Sequence, residues 1–264
     1  MDSERISTGI PTLDHLLQGG FSRGRTYVVT GDTGTGKTIA CLQFLLQSLK
    51  KGEKAVYVTV DERPAEILES AASFSWDLQP YIQEKTLIIL DAAPYFGARS
   101  GNSIEKGVDP QKIVADLGSY VKRLNATLLI IDPITPLILP NEAANASQDQ
   151  ARSLIQLLQS QITTTNLFTA HRGRHAESGI EQFLASGVLL LRSTQLNNGS
   201  FQRTLTIKKM RGTRVEPAEY VFTLTPSEGF TLPHCSSARA SGDAEQPATF
   251  EYFHLTGNRS SDQT

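Results

Sequence analysis

Residues 28–46, VVTGDTGTGKTIACLQFLL, begin as a buried strand and end as an amphipathic helix. The loop between them holds three glycines, one lysine and no bulky side chain. A strand that turns this tightly into a helix needs a sheet behind it and a second parallel strand ahead of it. The rest of the chain supplies both. Five short runs rich in Val, Ile and Leu recur at 25–31 (RTYVVTG), 54–60 (KAVYVTV), 86–91 (TLIILD), 127–133 (TLLIIDP) and 166–171 (NLFTAH). They are nearly continuous rather than alternating, as strands covered on both faces are. Helical stretches lie between them: 37–50, with Ile39, Leu42, Leu45, Leu46 and Leu49 on one side; 64–73, opened by Pro64; 110–124; and 148–161. The alternation implies an α/β fold, a mostly parallel sheet flanked by helices.

After residue 186 the pattern changes. GVLLLR (187–192), FQRTLTIKKMR (201–211) and YVFTLTPSEGFTL (220–232) follow with little helix between them. The Asn-Gly in QLNNGSFQ (195–202) favours a hairpin, so an antiparallel extension at the C-terminal edge is expected. Residues 92–109 form a long Gly-bearing connection. From Pro233 onward the chain is mostly small and polar. The expected division is one core domain over 4–232 and a loosely held tail over 233–264.

GDTGTGKT, residues 31–38, matches G-x-x-x-x-G-K-[ST], and it lies where a strand passes into a helix. Backbone N–H groups of Gly31, Asp32, Thr33, Gly34, Thr35, Gly36, Lys37 and Thr38 can converge on phosphate oxygens. The helix adds unpaired donors and the positive end of its dipole. Lys37 supplies a mobile charge for the outer phosphates and Thr38 a hydroxyl for Mg²⁺. The expected ligand is a nucleoside triphosphate.

Asp132 closes the strand LLIID before Pro133, at the carboxyl edge of the sheet where ligands bind in open α/β folds. With the phosphate loop present, it is expected to hold Mg²⁺ through water. Asp61 and Glu62 follow the strand after the loop helix and fall on the same edge. A carboxylate there can take a proton from attacking water. It can equally serve as an acid at the N-terminus of the next helix. The residues alone leave both roles open.

Composition narrows the field. With 25 basic and 27 acidic residues, the net charge of −2 shows no global footprint for nucleic acid or an anionic membrane. The start, MDSERISTGIPTLDHLL, lacks the basic and apolar regions of a secretory signal, and no apolar run is long enough to cross a bilayer. Two cysteines, Cys41 and Cys235, make neither a disulfide framework nor a zinc site, and Cys41 reads as an inert buried thiol. A cytoplasmic protein is expected.

In this order the motifs resemble the RecA superfamily of ATPases, and within it the KaiC-like family. The resemblance covers about residues 4–232. It rests on STGIPTLDHLLQGGFSRGRTYVVTGDTGTGKT, the acidic pair Asp61-Glu62, IEQFLASGVLLLR and KKMRGT at 208–213. It implies a RecA-like core, ATP as the nucleotide, and a homo-oligomeric ring, commonly a hexamer, with ATP between subunits. It also implies water activation by Glu62 with help from Asp61. Lys209 and Arg211 would reach a neighbour's γ-phosphate, where an arginine can spread charge over the transition state. Slow hydrolysis serving a signal or timer, with protein partners, is the function implied. A DNA-stimulated motor is the alternative, disfavoured by the charge balance, and an ATP-gated regulator with little turnover is another.

This chain departs from the family's pattern in several places. Val215 stands where relatives often have histidine. Asp61 is one methylene shorter than the usual glutamate. One domain is present where clock proteins carry two in tandem. Gln182-Phe183 replaces the Ser-Thr phosphoacceptor pair, so autokinase activity is not expected. His171 and His175 have metal-pair spacing but no third ligand. His171 at a strand end suits sensing of the γ-phosphate, and Arg172 and Arg174 read as a solvated loop. Trp76 reads as packing core or covering the preceding helix.

Overall fold

The computed structural model describes residues 4–93, 110–138, 146–171, 185–215 and 218–233. Two short strands, β1 (Arg5–Ile6) and β2 (Phe21–Ser22), pair antiparallel around helix α1 (Pro11–Leu16). β3 (Thr26–Gly31) leads into α2 (Lys37–Lys50). β4 (Ala55–Thr59), α3 (Pro64–Ala72), α4 (Gln79–Gln83) and β5 (Leu87–Asp91) follow. The second half contains α5 (Pro110–Leu124), β6 (Leu128–Asp132), α6 (Thr135–Ile138), α7 (Ala146–Gln161) and β7 (Thr165–His171). It closes with β8 (Gly187–Gln195), β9 (Phe201–Met210), β10 (Glu219–Thr225) and β11 (Gly229–Thr231).

Among the described residues the main sheet has nine strands in the order β11-β10-β9-β8-β3-β7-β6-β4-β5. The stretch from β8 to β5 is parallel. β9, β10 and β11 extend it antiparallel, as the sequence pattern suggested. The boundary lies one strand later than the change in pattern. β8 pairs parallel with β3 through Tyr27↔Gly187 to Gly31↔Leu191, and only its other edge meets β9 antiparallel. The run 220–232 divides into β10 and β11, joined by a tight turn.

The buried strands read as continuous apolar runs because each alternate residue meets a different helical layer. Tyr27, Val29, Tyr57, Ile130 and Leu189 pack in one core with Cys41, Leu42, Leu45 and Leu49 of α2 and Ile67 of α3. Val28, Val56, Val58, Ile131, Phe168 and Val188 pack in the other with Val114, Leu117 and Val121 of α5 and Ile155 and Leu158 of α7. Trp76 is partly buried, packs against the first core and stacks on Phe74 with centroids 5.1 Å apart. Cys41 is fully buried, and burial raises its thiol well above the ordinary range. No helix among the described residues is long and apolar enough to cross a membrane. Most of the 92–109 connection, Cys235 and the tail from 234 lie outside the described residues.

Candidate nucleotide site

Parallel strands bring their carboxyl ends to one edge. In register, Gly31 at the end of β3 faces His171 at the end of β7, and Thr59 of β4 faces Asp132 of β6. Loops leaving those ends therefore converge. They enclose a cavity of about 330 Å³ lined by Thr33, Gly34, Gly36, Lys37, Thr38, Asp61, Glu62, Asp132, His171 and Leu224, among others.

The glycines of the loop are there for space and conformation. A Cβ on Gly31 would stand 2.4 Å from the Leu191 carbonyl oxygen of β8. Gly36 caps α2 with φ 101°, a left-handed conformation that costs a side-chain-bearing residue energy. Thr35 steadies the turn by donating from its hydroxyl to the Asp32 carbonyl at 2.8 Å. The Lys37 ammonium is buried and donates to the carbonyls of Gly31 (2.9 Å) and Asp32 (2.8 Å). Burial lowers its pKa, and the carboxylates of Asp132 and Asp32 oppose that shift.

Asp132 is buried, and both its carboxylate oxygens are engaged. Tyr57 donates to Oδ2 at 2.6 Å and Thr169 donates to Oδ1. Burial, and then the Asp132 charge, pushes the Tyr57 phenol well up, so it stays a donor. Neither hydroxyl was singled out from the sequence. The available signal was a polar atom between apolar neighbours, Tyr57 between Val56 and Val58 and Thr169 between Phe168 and Ala170.

The acidic pair leaves β4 on a turn fixed by Thr59, whose hydroxyl donates to the Glu62 carbonyl at 2.7 Å. Helix α3 starts immediately after, with the Arg63 N–H donating to Glu66 at 2.7 Å. Glu66 thus takes the capping position of α3. Glu62 is half-buried. Burial first, then the charges of Asp132, Glu66 and Asp61, raise its carboxyl above the usual range. Asp61 is exposed, with Oδ2 3.4 Å from His171 Nε2. A second acceptor fixes His171 from behind, since its backbone N–H donates to the Thr135 hydroxyl at 3.0 Å.

Lys209 and Arg211 stand apart from this cavity and do not line it. Lys209 borders a separate groove of about 490 Å³ with Lys208, Met210, Thr213 and Val215. Burial, and then the Arg211 charge, lowers the Lys209 pKa. The turn that follows is held by Arg211 N–H to the Ser186 carbonyl (2.7 Å) and by Arg5 to the Thr213 hydroxyl (3.0 Å). Arg172, Arg174, His175, Gln182 and Phe183 lie outside the described residues.

A glycine loop around a lysine at a helix N-terminus, with a buried strand-end aspartate two strands away in a mostly parallel sheet, defines a RecA-like P-loop fold. The family model described as "ATPase: KaiC" matches residues 6–233. The circadian clock oscillator protein KaiC of Picosynechococcus sp. is 34% identical over 227 residues, covering 84% of this chain and 43% of that protein. KaiC of Synechococcus elongatus is 33% identical over 226 residues, with the same coverages of 84% and 43%. The chain thus spans less than half the length of these relatives. The crystal structure of a KaiC-like protein from the archaeon Pyrococcus horikoshii OT3 superposes with a TM-score of 0.74 at 31% identity. That match covers 88% of this chain and all of the archaeal one. The chain belongs to the KaiC family of ATPases.

Proposed function

We propose that this protein is a magnesium-dependent ATPase that assembles as a ring, commonly of six subunits, and uses slow hydrolysis for signalling or regulation. The observation that carries the reading is the single cavity lined by Lys37, Thr38, Asp61, Glu62 and Asp132. A phosphate cradle, oxygen donors for a hard cation and a carboxylate for water meet there.

Backbone amides of residues 31–38 take the phosphates, and Lys37 reaches the outer oxygens. Magnesium fits the donor set, the half-buried Thr38 hydroxyl and the Asp132 carboxylate lining one cavity. When bound, it would neutralise charge on the β- and γ-phosphates. Glu62 accepts a proton from the attacking water while the bond between the γ-phosphorus and the bridging oxygen breaks, leaving ADP and phosphate. Its raised pKa supports that role, because a base is most useful when its proton affinity approaches the working pH. Asp61 assists, with His171 beside it. Lys209 and Arg211 act on the neighbouring protomer's nucleotide, which is consistent with their distance from the cavity of their own chain. The ATPase unit is residues 4–232, with 233–264 as a tail. The location is cytoplasmic, and any further partners are signalling proteins rather than DNA or a membrane. Autophosphorylation has no hydroxyl acceptor at Gln182-Phe183.

The test measures solution mass and phosphate release together, with ATP and magnesium. Lys37→Ala should lose nucleotide binding. Glu62→Gln and Arg211→Ala should bind and assemble but release little phosphate. Full turnover in Arg211→Ala would refute a site shared between subunits.

A further inference from the structure

Tyr57 is buried completely, between Val56 and Val58 on β4, and a buried phenol must find an acceptor or forfeit its hydration. A phenylalanine would fill the same space without that cost. The acceptor found is Oδ2 of Asp132, and the hydroxyl of fully buried Thr169 takes Oδ1. The register explains how both reach it. Thr59 is the partner of Asp132 across β4 and β6, and Tyr57, two residues earlier, points to the same face. Thr169 approaches from β7 on the opposite side of β6. The carboxylate is gripped from both flanking strands.

We infer that Tyr57 and Thr169 are positioning residues that hold the Asp132 carboxylate in the one orientation able to take the magnesium-bound water. This rests on the reading of Asp132 as the metal-side carboxylate. An ionised carboxylate has about four lone-pair sites. Two are filled by these hydroxyls, which leaves the others for the cavity that Asp132 lines. Without the hydroxyls, the carboxylate is free to turn toward a cationic donor. The Lys37 ammonium, which lines the same cavity, is a donor within range of the Asp132 charge. A carboxylate paired with Lys37 no longer presents its free oxygens to the cation, and the lysine is drawn from the phosphates. Outer partners that orient a metal's ligands commonly govern affinity in this way.

The experiment titrates magnesium against a fluorescent ATP analogue and measures the analogue's affinity in EDTA as well. The proteins are wild type, Tyr57→Phe, Thr169→Val, Thr169→Ser and Asp132→Asn, each checked by thermal melting. Tyr57→Phe and Thr169→Val should raise the magnesium midpoint by about tenfold while leaving the EDTA affinity unchanged. Thr169→Ser keeps the hydroxyl and should behave as wild type. A wild-type or lower midpoint in both hydroxyl-deleted variants would overturn the inference. So would an equal loss in EDTA, which would mark a general loosening of the pocket. If Asp132→Asn itself leaves the midpoint unchanged, the metal assignment fails and this inference falls with it. If Asp132→Asn raises the midpoint and the hydroxyl deletions do not, only this inference is lost.

Discussion

Gln43 offers the sharpest test of how the nucleotide helix is tied to the rest of the fold. It is buried on α2, two turns after Lys37. Its side-chain nitrogen donates to the carbonyls of Gly9 (2.8 Å) and Phe230 (3.1 Å), and its oxygen accepts from the Phe230 N–H at 2.7 Å. One amide thus joins the leading loop, the helix and the β10–β11 hairpin. The hairpin's own turn has adapted to it, because a Cβ on Gly229 would lie 2.5 Å from Gln43 Oε1. Gln43→Leu preserves the bulk and removes every polar atom. It leaves two carbonyls and one N–H with no side-chain partner. At about 1 kcal/mol net per bond, the three bonds contribute ~3 kcal/mol, and stranded buried groups push the loss above that figure.

For a chain of this size, 3 kcal/mol corresponds to a fall in Tm of roughly 6–12 °C. Urea denaturation should show a lower midpoint with an unchanged slope, since the same surface is exposed on unfolding. The loss should also reach the nucleotide. Leu224 of β10 lines the cavity and stands 2.7 Å from the Cβ position of Gly36. A loosened hairpin withdraws that wall. A Gln43→Leu protein within about 1 kcal/mol of wild type would refute the reasoning, because water would then be replacing the bonds at little cost.

Two further outcomes follow from the site. A carboxyl with a raised folded pKa favours the fold when protonated, and that contribution disappears as pH rises through the raised value. Glu62 is such a group, so Glu62→Gln should melt higher than wild type above neutrality. The difference should vanish near the ordinary carboxylate value of about 4. A pH-independent difference in a melting series would show that the glutamate's charge is not the cause. Gly36→Ala must adopt φ 101° and displace a Leu224 methyl, at about 1–2 kcal/mol for the backbone alone. Equilibrium binding should show roughly tenfold weaker nucleotide affinity; unchanged affinity would mean that the loop does not need this conformation.

The parallel core was legible because its signals are local and long. Each buried strand is a run of apolar residues, and α2 and α5 carry their periodicity over their whole length. The small elements were not. β1 and β2 have two residues each, and α1 has six. Such pieces have no intrinsic stability and exist through tertiary bonds: Thr8 N–H to Asp14 (2.7 Å), Ser7 hydroxyl to Asp14 (2.5 Å), and Arg5 to the carbonyls of Leu17 and Gly20 (2.8 and 2.9 Å). The direction of β8 was hidden for a related reason. Its apolar run resembles every other strand, and only its return to the side of β3 makes it parallel.

The site divides along the same line. Gly31 to Thr38 act within one turn of chain, so spacing alone points to the phosphate loop. Asp132 is legible as a strand-end acid, but what makes it more than an acid is not. Its two hydroxyl partners come from positions 75 and 37 residues away in sequence. Gln43 likewise reaches partners 34 and 187 residues away. In each case the sequence shows an unremarkable polar residue within an apolar or helical run. Its meaning depends on which backbone or carboxylate the sheet order carries to it. A buried hydroxyl between apolar neighbours in a strand is nevertheless a usable clue. Burying it without a partner costs enough that its presence implies an acceptor nearby, and for Tyr57 and Thr169 that acceptor is an acid at the carboxyl edge that lines the cavity.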